Sequence, residues 1–156
     1  MPYVSRKDIA LTREEVDDFL RGNVWGRLAT AGLDLEPHLT PLGYVYYHGA
    51  IWFHGLRSSR RGRQIAENPK VAFLVDDGVA PGDHYTQRRG VIVYGRCRIA
   101  NDDPHLEAAR AAYMRGMGMT TVEEVQRRTH DWCRIDVDRV SSWDFRKIPA
   151  GSDRKA

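Results

Sequence analysis

Three strand-like segments follow one another between residues 24 and 54, and the connections between them are short. Each is rich in β-branched and aromatic residues, and they run from Val24 to Thr30, from Pro37 to Tyr47 and from Ala50 to His54. Gly32 to Glu36 and His48-Gly49 form the turns between them. A crossover between parallel strands needs a dozen or more residues, so these strands are not parallel neighbours. The segment therefore predicts an antiparallel meander.

Three more strand-like segments follow later in the chain: Lys70 to Val75, Val91 to Ile99 and Asp131 to Phe145. Gly95 lies inside the second of these, where a glycine indicates a bulge or a bend at a barrel corner. About six strands with short turns predict a small closed antiparallel barrel, mainly β with short helices. No GxGxxG follows the first strand, which counts against a Rossmann domain. We expect residues 1–150 to form a single domain and residues 151–156 to form a disordered tail.

Short helices are predicted at four places by their start and stop signals. These are Thr12 to Gly22, a short helix that follows the serine-arginine loop within Arg57 to Ala66, a helix that starts at Pro104, and Thr121 to Arg128. The first and last begin with the spacing of a capping box, in which a threonine is followed three residues later by a glutamate. The second must end near Asn68, because Pro69 restricts the residue before it.

Composition excludes two broad classes of protein. No apolar run in the 156 residues approaches the ~20 needed to cross a bilayer, and the amino terminus lacks a secretory signal. We therefore expect a cytoplasmic protein without membrane partners. Cys97 and Cys133 lie in apolar strand-like contexts without CxxC or metal-ligand spacing, which indicates buried thiols and no metal site. The net charge of +3 does not by itself predict nucleic-acid binding.

Two serines and four arginines stand together directly after the third strand-like segment. They are Arg57, Ser58, Ser59, Arg60, Arg61 and Arg63. Guanidinium and hydroxyl groups at a strand-to-helix turn match the oxygens of a phosphate, and the free N–H groups of the helix start add to the attraction. A solvated basic turn has the same composition. The loop by itself therefore predicts either an anion site or an exposed turn.

The order of these pieces resembles a known family. The capped first helix, G-R-L-A-T, a turn, P-H-L-T-P-L-G-Y and finally S-S-R-R-G-R-Q-I-A-E-N-P-K-V are together similar to the flavin-binding split β-barrel, or pyridoxamine 5'-phosphate oxidase-like, family. That family includes oxidoreductases that use the deazaflavin F420. The resemblance covers roughly Leu11 to Ile99, and S-R-R-x-x-Q-I-x-x-N-P-x-V is its most specific part. It implies an antiparallel FMN-binding split barrel.

The resemblance also implies where the cofactor phosphate binds. The family's serine and two basic residues after the third strand hold the phosphate, and they correspond here to Ser59, Arg60 and Arg61. Arg57, Ser58 and Arg63 are near enough to help. Under this resemblance the basic loop is a phosphate site.

The cofactor ring is implied to lie against two strands. The family's second strand lays its backbone along the ring, and its residues here are Leu39, Thr40, Pro41 and Leu42. His54-Gly55, at the end of the third strand, would lie beside the ring or the ribityl chain. The family builds its site at a homodimer interface, so Trp143 is expected to reach the cofactor of the second protomer.

The implied function is hydride transfer between FMN or F420 and a small organic substrate, and the sequence leaves both cofactors open. Vitamin B6 oxidation is not expected, because the C-terminal arginine-leucine-histidine pattern is absent and Gly90 stands where the family has a glutamine that touches the flavin. No catalytic residue is identified.

Two alternatives remain. One is a non-catalytic flavin- or haem-binding module on the same barrel. The other is a nucleic-acid-binding barrel, suggested by Trp25, Tyr44, Tyr46, Tyr47 and Trp52. The second is disfavoured, because the arginines cluster in one loop instead of alternating with these rings.

Overall fold

Seven strands form one antiparallel sheet in the computed structural model, which describes residues 6–125 and 128–149. The strands are β1 Trp25–Ala31, β2 Pro37–Gly43, β3 Val45–Tyr47, β4 Ala50–Leu56, β5 Lys70–Asp77, β6 Arg89–Ile99 and β7 His130–Asp144. Their order across the sheet is β2-β1-β5-β6-β7-β4-β3. The helices are α1 Arg6–Ile9, α2 Arg13–Arg21, α3 Arg60–Glu67 and α4 Leu106–Gly116. The predicted tail at 151–156 lies outside the described residues.

The predicted strand Pro37 to Tyr47 is in fact two strands, and this break decides the topology. β2 ends at Gly43 and β3 begins at Val45, yet the two lie at opposite edges of the sheet. A single residue connects the edges, so the sheet must curl until they meet. Both antiparallel pairings of the predicted meander form, β1 with β2 and β3 with β4, but its single central strand was wrong. The predicted mainly β split barrel is confirmed.

Tyr44 is the residue that causes the break. Its ring is buried, with 1% of its surface exposed, and packs edge-on against Phe73 at a centroid distance of 5.0 Å. Its N–H donates to the carbonyl of Val24 at 2.9 Å and its hydroxyl donates to the carbonyl of Leu20 at 2.8 Å. Tertiary contacts thus replace strand pairing at this position.

The first three helical predictions are confirmed within a few residues, and only the fourth is much shorter than predicted. Both bonds of the capping box at α2 form, with Glu15 N–H donating to Thr12 Oγ1 at 3.2 Å and Thr12 N–H donating to Glu15 Oε2 at 2.7 Å. α4 begins at Leu106, two residues after the predicted start. The predicted helix from Thr121 to Arg128 is a single 3₁₀ turn at Val122–Glu124, and residues 126–127 are not described.

Two hydrophobic clusters pack on the two faces of β4. Ile51 and Phe53 point into the barrel, whereas Ala50 and Trp52 point outwards and are covered by α4. The predicted irregularity at Gly95 is confirmed as a register shift against β7, and a Cβ there would lie 2.1 Å from the carbonyl oxygen of Asp136. No helix among the described residues is long and apolar enough to cross a membrane.

Candidate functional site

The glutamine and asparagine of the Q-I-x-x-N-P motif fasten α3 to the hairpin of β1 and β2. Gln64 is buried and accepts a hydrogen bond from Thr30 Oγ1 at 2.6 Å, while its amide nitrogen donates to the carbonyl of Glu36 at 3.1 Å. Asn68 donates to the carbonyl of Ala31 at 3.0 Å. These two motif residues are therefore structural, and they hold the middle and the end of α3 against the β1–β2 hairpin.

The start of α3 has the features of an anion site. Ser59 is its N-cap: the hydroxyl accepts from Gly62 N–H at 3.1 Å and donates to the carbonyl of Leu56 at 2.7 Å. The N–H groups of Arg60 and Arg61, in the first turn of the helix, have no acceptor within it. Exposed N–H groups at the positive end of the helix dipole attract a phosphate. Ser59 therefore caps α3 and orients these donors, and its role as a direct phosphate ligand stays a prediction.

The four arginines of the loop point in different directions. Arg57 is held by Asp131, Arg60 pairs with Glu36 at 3.0 Å, and Arg63 donates to the carbonyl of Ser58. Arg61 lies over the ring of Phe53, with 5.8 Å from Cζ to the ring centroid. Arg60 and Arg61 therefore leave α3 on separate faces, and the structure does not bring the four guanidinium groups to one point.

A cavity of about 320 Å³ lies between α3 and the ends of β4, β6 and β7. Phe53, Ile65, Cys97 and Cys133 form its apolar wall, and Arg61 lines it from α3. Both thiols are buried, as predicted. The contact with Cys133 and burial raise the pKa of Cys97, so this thiol stays neutral.

Asp131 and Arg57 close one side of the cavity. Asp131 is 4% exposed and accepts from Arg57 Nε at 2.8 Å, from Arg57 Nη2 at 2.5 Å and from Asn101 at 3.0 Å. The bond from Arg57 is the largest cause that lowers the pKa of Asp131. Sequence reasoning missed Asp131, and an acidic residue within an otherwise buried strand start was the signal that could have identified it.

The residues predicted to face the cofactor ring divide between two sides of β2. Leu39 is 62% exposed and Pro41 is also exposed, whereas Leu42 is buried in the barrel. Thr40 Oγ1 is buried without a hydrogen-bond partner. Among the described residues β2 pairs with β1 alone, so its other edge carries free backbone groups. That open edge, and not the Thr40 side chain, is the surface that a planar ring could contact.

His54 and Gly55 end β4 but face opposite sides. The His54 ring packs beneath α4, 5.2 Å from Trp132 and 5.3 Å from Tyr113, measured between ring centroids. Gly55 lines the cavity, and a Cβ there would lie 2.4 Å from Arg61 Nη2. Gly55 therefore makes room for the guanidinium of Arg61, while His54 is part of an aromatic cluster on the other face.

Trp143 does not lie near the arginine loop within one chain. It pairs with Gly90, and a Cβ on that glycine would lie 2.4 Å from Trp143 Cζ2. The loop contacts the opposite end of β7 through Asp131, twelve residues earlier in the chain. A contact between Trp143 and a cofactor bound at the loop would therefore require a second protomer.

Two of the rings proposed for nucleic-acid stacking are inside the protein. Tyr44 and Trp52 have 1% and 0% of their surface exposed. Trp25 is 53% exposed, but it lies on β1, away from the loop's start at the end of β4. These two buried rings cannot stack on bases.

Comparison with known proteins gives a family match over most of the chain. The family model described as pyridoxamine 5'-phosphate oxidase matches residues 12–144. A 5a,11a-dehydrotetracycline/5a,11a-dehydrooxytetracycline reductase of Streptomyces rimosus is 36% identical over 88 residues, which are 54% of this chain and 60% of that protein. This chain thus spans less than two thirds of the length of that curated relative.

Two solved structures have the same fold. The conserved hypothetical protein Rv2991 from Mycobacterium tuberculosis superposes with a TM-score of 0.78 at 31% identity, covering 96% of both chains. A protein from Mesorhizobium loti described as FAD-binding has a TM-score of 0.68 at 23% identity, covering 85% of this chain and 93% of its own. At that lower identity, the likeness shows the fold alone.

Proposed function

This chain belongs to the pyridoxamine 5'-phosphate oxidase family, and we propose that it is an oxidoreductase that binds FMN or F420 and transfers a hydride between that cofactor and a small organic substrate. The observation that carries the proposal is the contact between the start of α3 and the residue that precedes the edge strand β2, with Arg60 Nη2 at 3.0 Å from Glu36 Oε2. The start of α3 offers N–H donors and positive charge for a phosphate. β2 offers an unpaired strand edge for a planar ring.

The residues present fit such a cofactor. The N–H groups of Arg60 and Arg61 and the guanidinium of Arg60 would hold the phosphate. Arg60 now pairs with Glu36, but the two side chains are 42% and 66% exposed, and an exposed ion pair contributes little free energy. A phosphate can therefore replace Glu36 at small cost. Arg61 as a second phosphate ligand stays a prediction.

The ring would lie along the backbone of Leu39 to Leu42. The N–H and C=O groups of an edge strand that point away from its neighbour can match donors and acceptors along one side of a flavin or deazaflavin ring, and Pro41 contributes a carbonyl alone. Exposed Leu39 and Pro41 would shield that ring from water. The bound cofactor supplies the hydride chemistry, and the protein supplies binding and orientation.

A homodimer with the cofactor at its interface is part of this proposal. Apolar side chains are exposed on and around β1 and β2, with Leu33, Leu35, Leu39 and Trp25 between 53% and 77% exposed. Leu33 and Leu35 lie at the turn end of this hairpin and Trp25 at its other end, with Leu39 between them. Exposed apolar side chains that cluster on one element commonly mark an interaction site. A second protomer on this surface would cover these side chains and bring its own β7 towards the ring.

We propose that the reduced cofactor gives its hydride to the substrate, because the Streptomyces rimosus relative is named as a reductase of dehydrotetracyclines. Oxidation of pyridoxamine 5'-phosphate is not proposed, because the indole of Trp143 occupies the space beside Gly90. A glutamine at position 90 would collide with that ring.

Stopped-flow mixing tests the proposed activity. Protein loaded with reduced FMN or reduced F420 is mixed with a panel of α,β-unsaturated ketones, and cofactor oxidation is followed by absorbance. We expect at least one substrate to be reduced faster than by the same free cofactor. Tight cofactor binding without any acceleration would instead make the protein a non-catalytic carrier.

A further inference from the structure

Cys97 and Cys133 lie on the inner face of two neighbouring strands and are close in space. Cys97 is opposite Ile135 and Cys133 is opposite Ile99 in the β6–β7 register, so the two cysteines are diagonal neighbours. The right-handed twist of an antiparallel pair brings one diagonal closer than the other, and hydrogen bonding between the two thiols shows that this is the close one. The proposed cofactor site uses neither thiol.

The cavity between α3 and the ends of β4, β6 and β7 gives access to both thiols, although the two cysteines are only 3% and 9% exposed. Its volume is about 320 Å³, roughly twice the ~150 Å³ of a cavity that admits benzene. Phe53 and Ile65 make its wall apolar, whereas the lining residues Leu56 and Ile99 are 40% and 59% exposed, so the cavity is open to solvent. A small apolar molecule can therefore reach the sulfurs.

The surroundings make the two thiols chemically unequal. Hydrogen bonding between them is the largest cause that raises the pKa of Cys97 and lowers the pKa of Cys133. The positive charge of Arg61 also favours a thiolate at Cys133, whereas burial and the charge of Asp131 act against it. Because the thiolate is the nucleophilic form of cysteine, Cys133 is the attacking residue and Cys97 is the neutral thiol beside it.

We propose that Cys133 and Cys97 form a reactive dithiol that reduces small apolar organic hydroperoxides. In the first step the sulfur of Cys133 attacks the terminal oxygen of the hydroperoxide and the O–O bond breaks. The alkoxide leaves as the alcohol with the proton that Cys133 lost, and Cys133 becomes a sulfenic acid. In the second step the thiol of Cys97 attacks the sulfenic sulfur, an S–S bond forms between β6 and β7, and water leaves. Two thiols and one hydroperoxide thus give one disulfide, one alcohol and one water.

The cavity favours an apolar organic hydroperoxide over hydrogen peroxide. Phe53 and Ile65 would cover the apolar body of the substrate, which hydrogen peroxide lacks. Arg61 interacts electrostatically with both thiols, so its charge lies where the leaving alkoxide develops. The hydroperoxide is itself the oxidant. This reaction therefore needs neither FMN nor F420 and goes beyond the proposed function.

Treatment of the full chain with cumene hydroperoxide tests this site, with the thiols reduced beforehand and no cofactor added. Because the chain has two cysteines, titration of free thiols follows the reaction, and peptide mapping by mass spectrometry identifies the product. We expect a disulfide within one chain, formed at least tenfold faster than with hydrogen peroxide and at least tenfold faster than in protein unfolded in urea. Thiols that stay free, a disulfide between chains, or the absence of either rate advantage would overturn the proposal.

Variants with a single cysteine separate the two roles. In Cys97→Ala the sulfenic acid on Cys133 has no second thiol to react with, so dimedone should trap it. In Cys133→Ala the remaining thiol of Cys97 should react at least tenfold more slowly than Cys133 does in Cys97→Ala. Equal reactivity of the two variants, or the opposite order, would refute the assigned roles.

Two variants outside the thiol pair guard against a folding defect in the cysteine variants. Ala66 is exposed and lines the cavity, so Ala66→Trp should block access and slow the reaction with cumene hydroperoxide at least tenfold. Arg61→Met should also slow it, because it removes the positive charge beside the thiols. Normal rates in both variants would contradict the site.

Arg96→Met is the matched control for Arg61→Met. Arg96 directly precedes Cys97 on β6, but it is exposed and points to the opposite face of the strand. Its replacement should leave the rate of thiol oxidation unchanged. If Arg96→Met slows the reaction as much as Arg61→Met does, the charge inside the cavity has no special role and the site as proposed is refuted.

Discussion

Arg57 and Asp131 form a two-point ion pair that connects the arginine loop to the start of β7, with Nε to Oδ2 at 2.8 Å and Nη2 to Oδ1 at 2.5 Å. The two residues are 74 positions apart in the chain. The carboxylate is buried and the guanidinium is largely exposed, with 62% of the Arg57 side chain accessible. Asp131 therefore orients Arg57 at the wall of the cavity. Nothing in the sequence of the arginine loop indicates this pairing.

The first prediction concerns the pH dependence of this pair. Because the folded pKa of Asp131 lies below its ordinary value of 3.8, the ion pair stabilises the fold above that value. This stabilisation is lost as the pH falls through the lowered folded pKa. Asp131→Asn should therefore be less stable than the unmodified protein at pH 7, and the difference should shrink below about pH 4. Urea unfolding at both pH values measures it, and a difference that stays constant would contradict the assignment.

The second prediction concerns the attachment of α3. Gln64→Leu removes the acceptor of the buried Thr30 hydroxyl and should lower the free energy of unfolding by about 1–3 kcal/mol. Thr30→Val in the same chain removes the unsatisfied hydroxyl, so the double variant should lose less than the sum of the two single losses. Chemical denaturation of the three variants measures the coupling. Strict additivity would show that the two side chains do not interact.

The third prediction separates the two roles available to Ser59. Ser59→Ala removes the N-cap of α3 and should cost about 1 kcal/mol of stability. Ser59→Asp and Ser59→Asn both keep a cap, but the aspartate places a negative charge where the phosphate is proposed to bind. Ser59→Asp should therefore weaken cofactor affinity far more than Ser59→Asn, although the two variants should be similarly stable. Equal cofactor affinities, measured by fluorescence titration, would remove the phosphate from the start of α3.

The fourth prediction concerns the proposed homodimer. Leu39→Lys places a charge on the exposed apolar surface of β2 and should convert a dimer into monomers, with loss of cofactor binding. Val79→Lys is the matched control, because Val79 is also exposed but lies in the loop after β5. Light scattering after size-exclusion chromatography distinguishes the states. A monomeric unmodified protein, or a dimeric Leu39→Lys variant, would refute this interface.

Features determined by neighbouring residues were predictable from the sequence. The capping box of α2, the end of α3 at Asn68 and the irregularity at Gly95 each depend on a few adjacent residues and are confirmed. The break at Tyr44 was not predictable in this way. The segment has uniform strand propensity, and it is broken by contacts of Tyr44 with Leu20 and Val24 that exist only in the folded barrel.

The candidate site was predicted in its elements but not in its geometry. Successive residues of a helix point about 100° apart, so Arg60 and Arg61 could not share one direction once α3 began at Arg60. Their surroundings come from distant parts of the chain, with Glu36 beside Arg60 and Phe53 beneath Arg61. The spacing of residues within the loop cannot predict contacts with such distant parts of the chain.

Titration of the unmodified protein and of Arg60→Met with FMN and with F420, followed by absorbance and fluorescence, tests the central claim most directly. We predict that the unmodified protein binds at least one of the two cofactors. Loss of one charge-assisted contact of about 1.5–3 kcal/mol should raise its Kd roughly 10- to 150-fold in Arg60→Met. An unmodified protein that binds neither cofactor, or an Arg60→Met variant with unchanged affinity, would contradict a phosphate site at the start of α3.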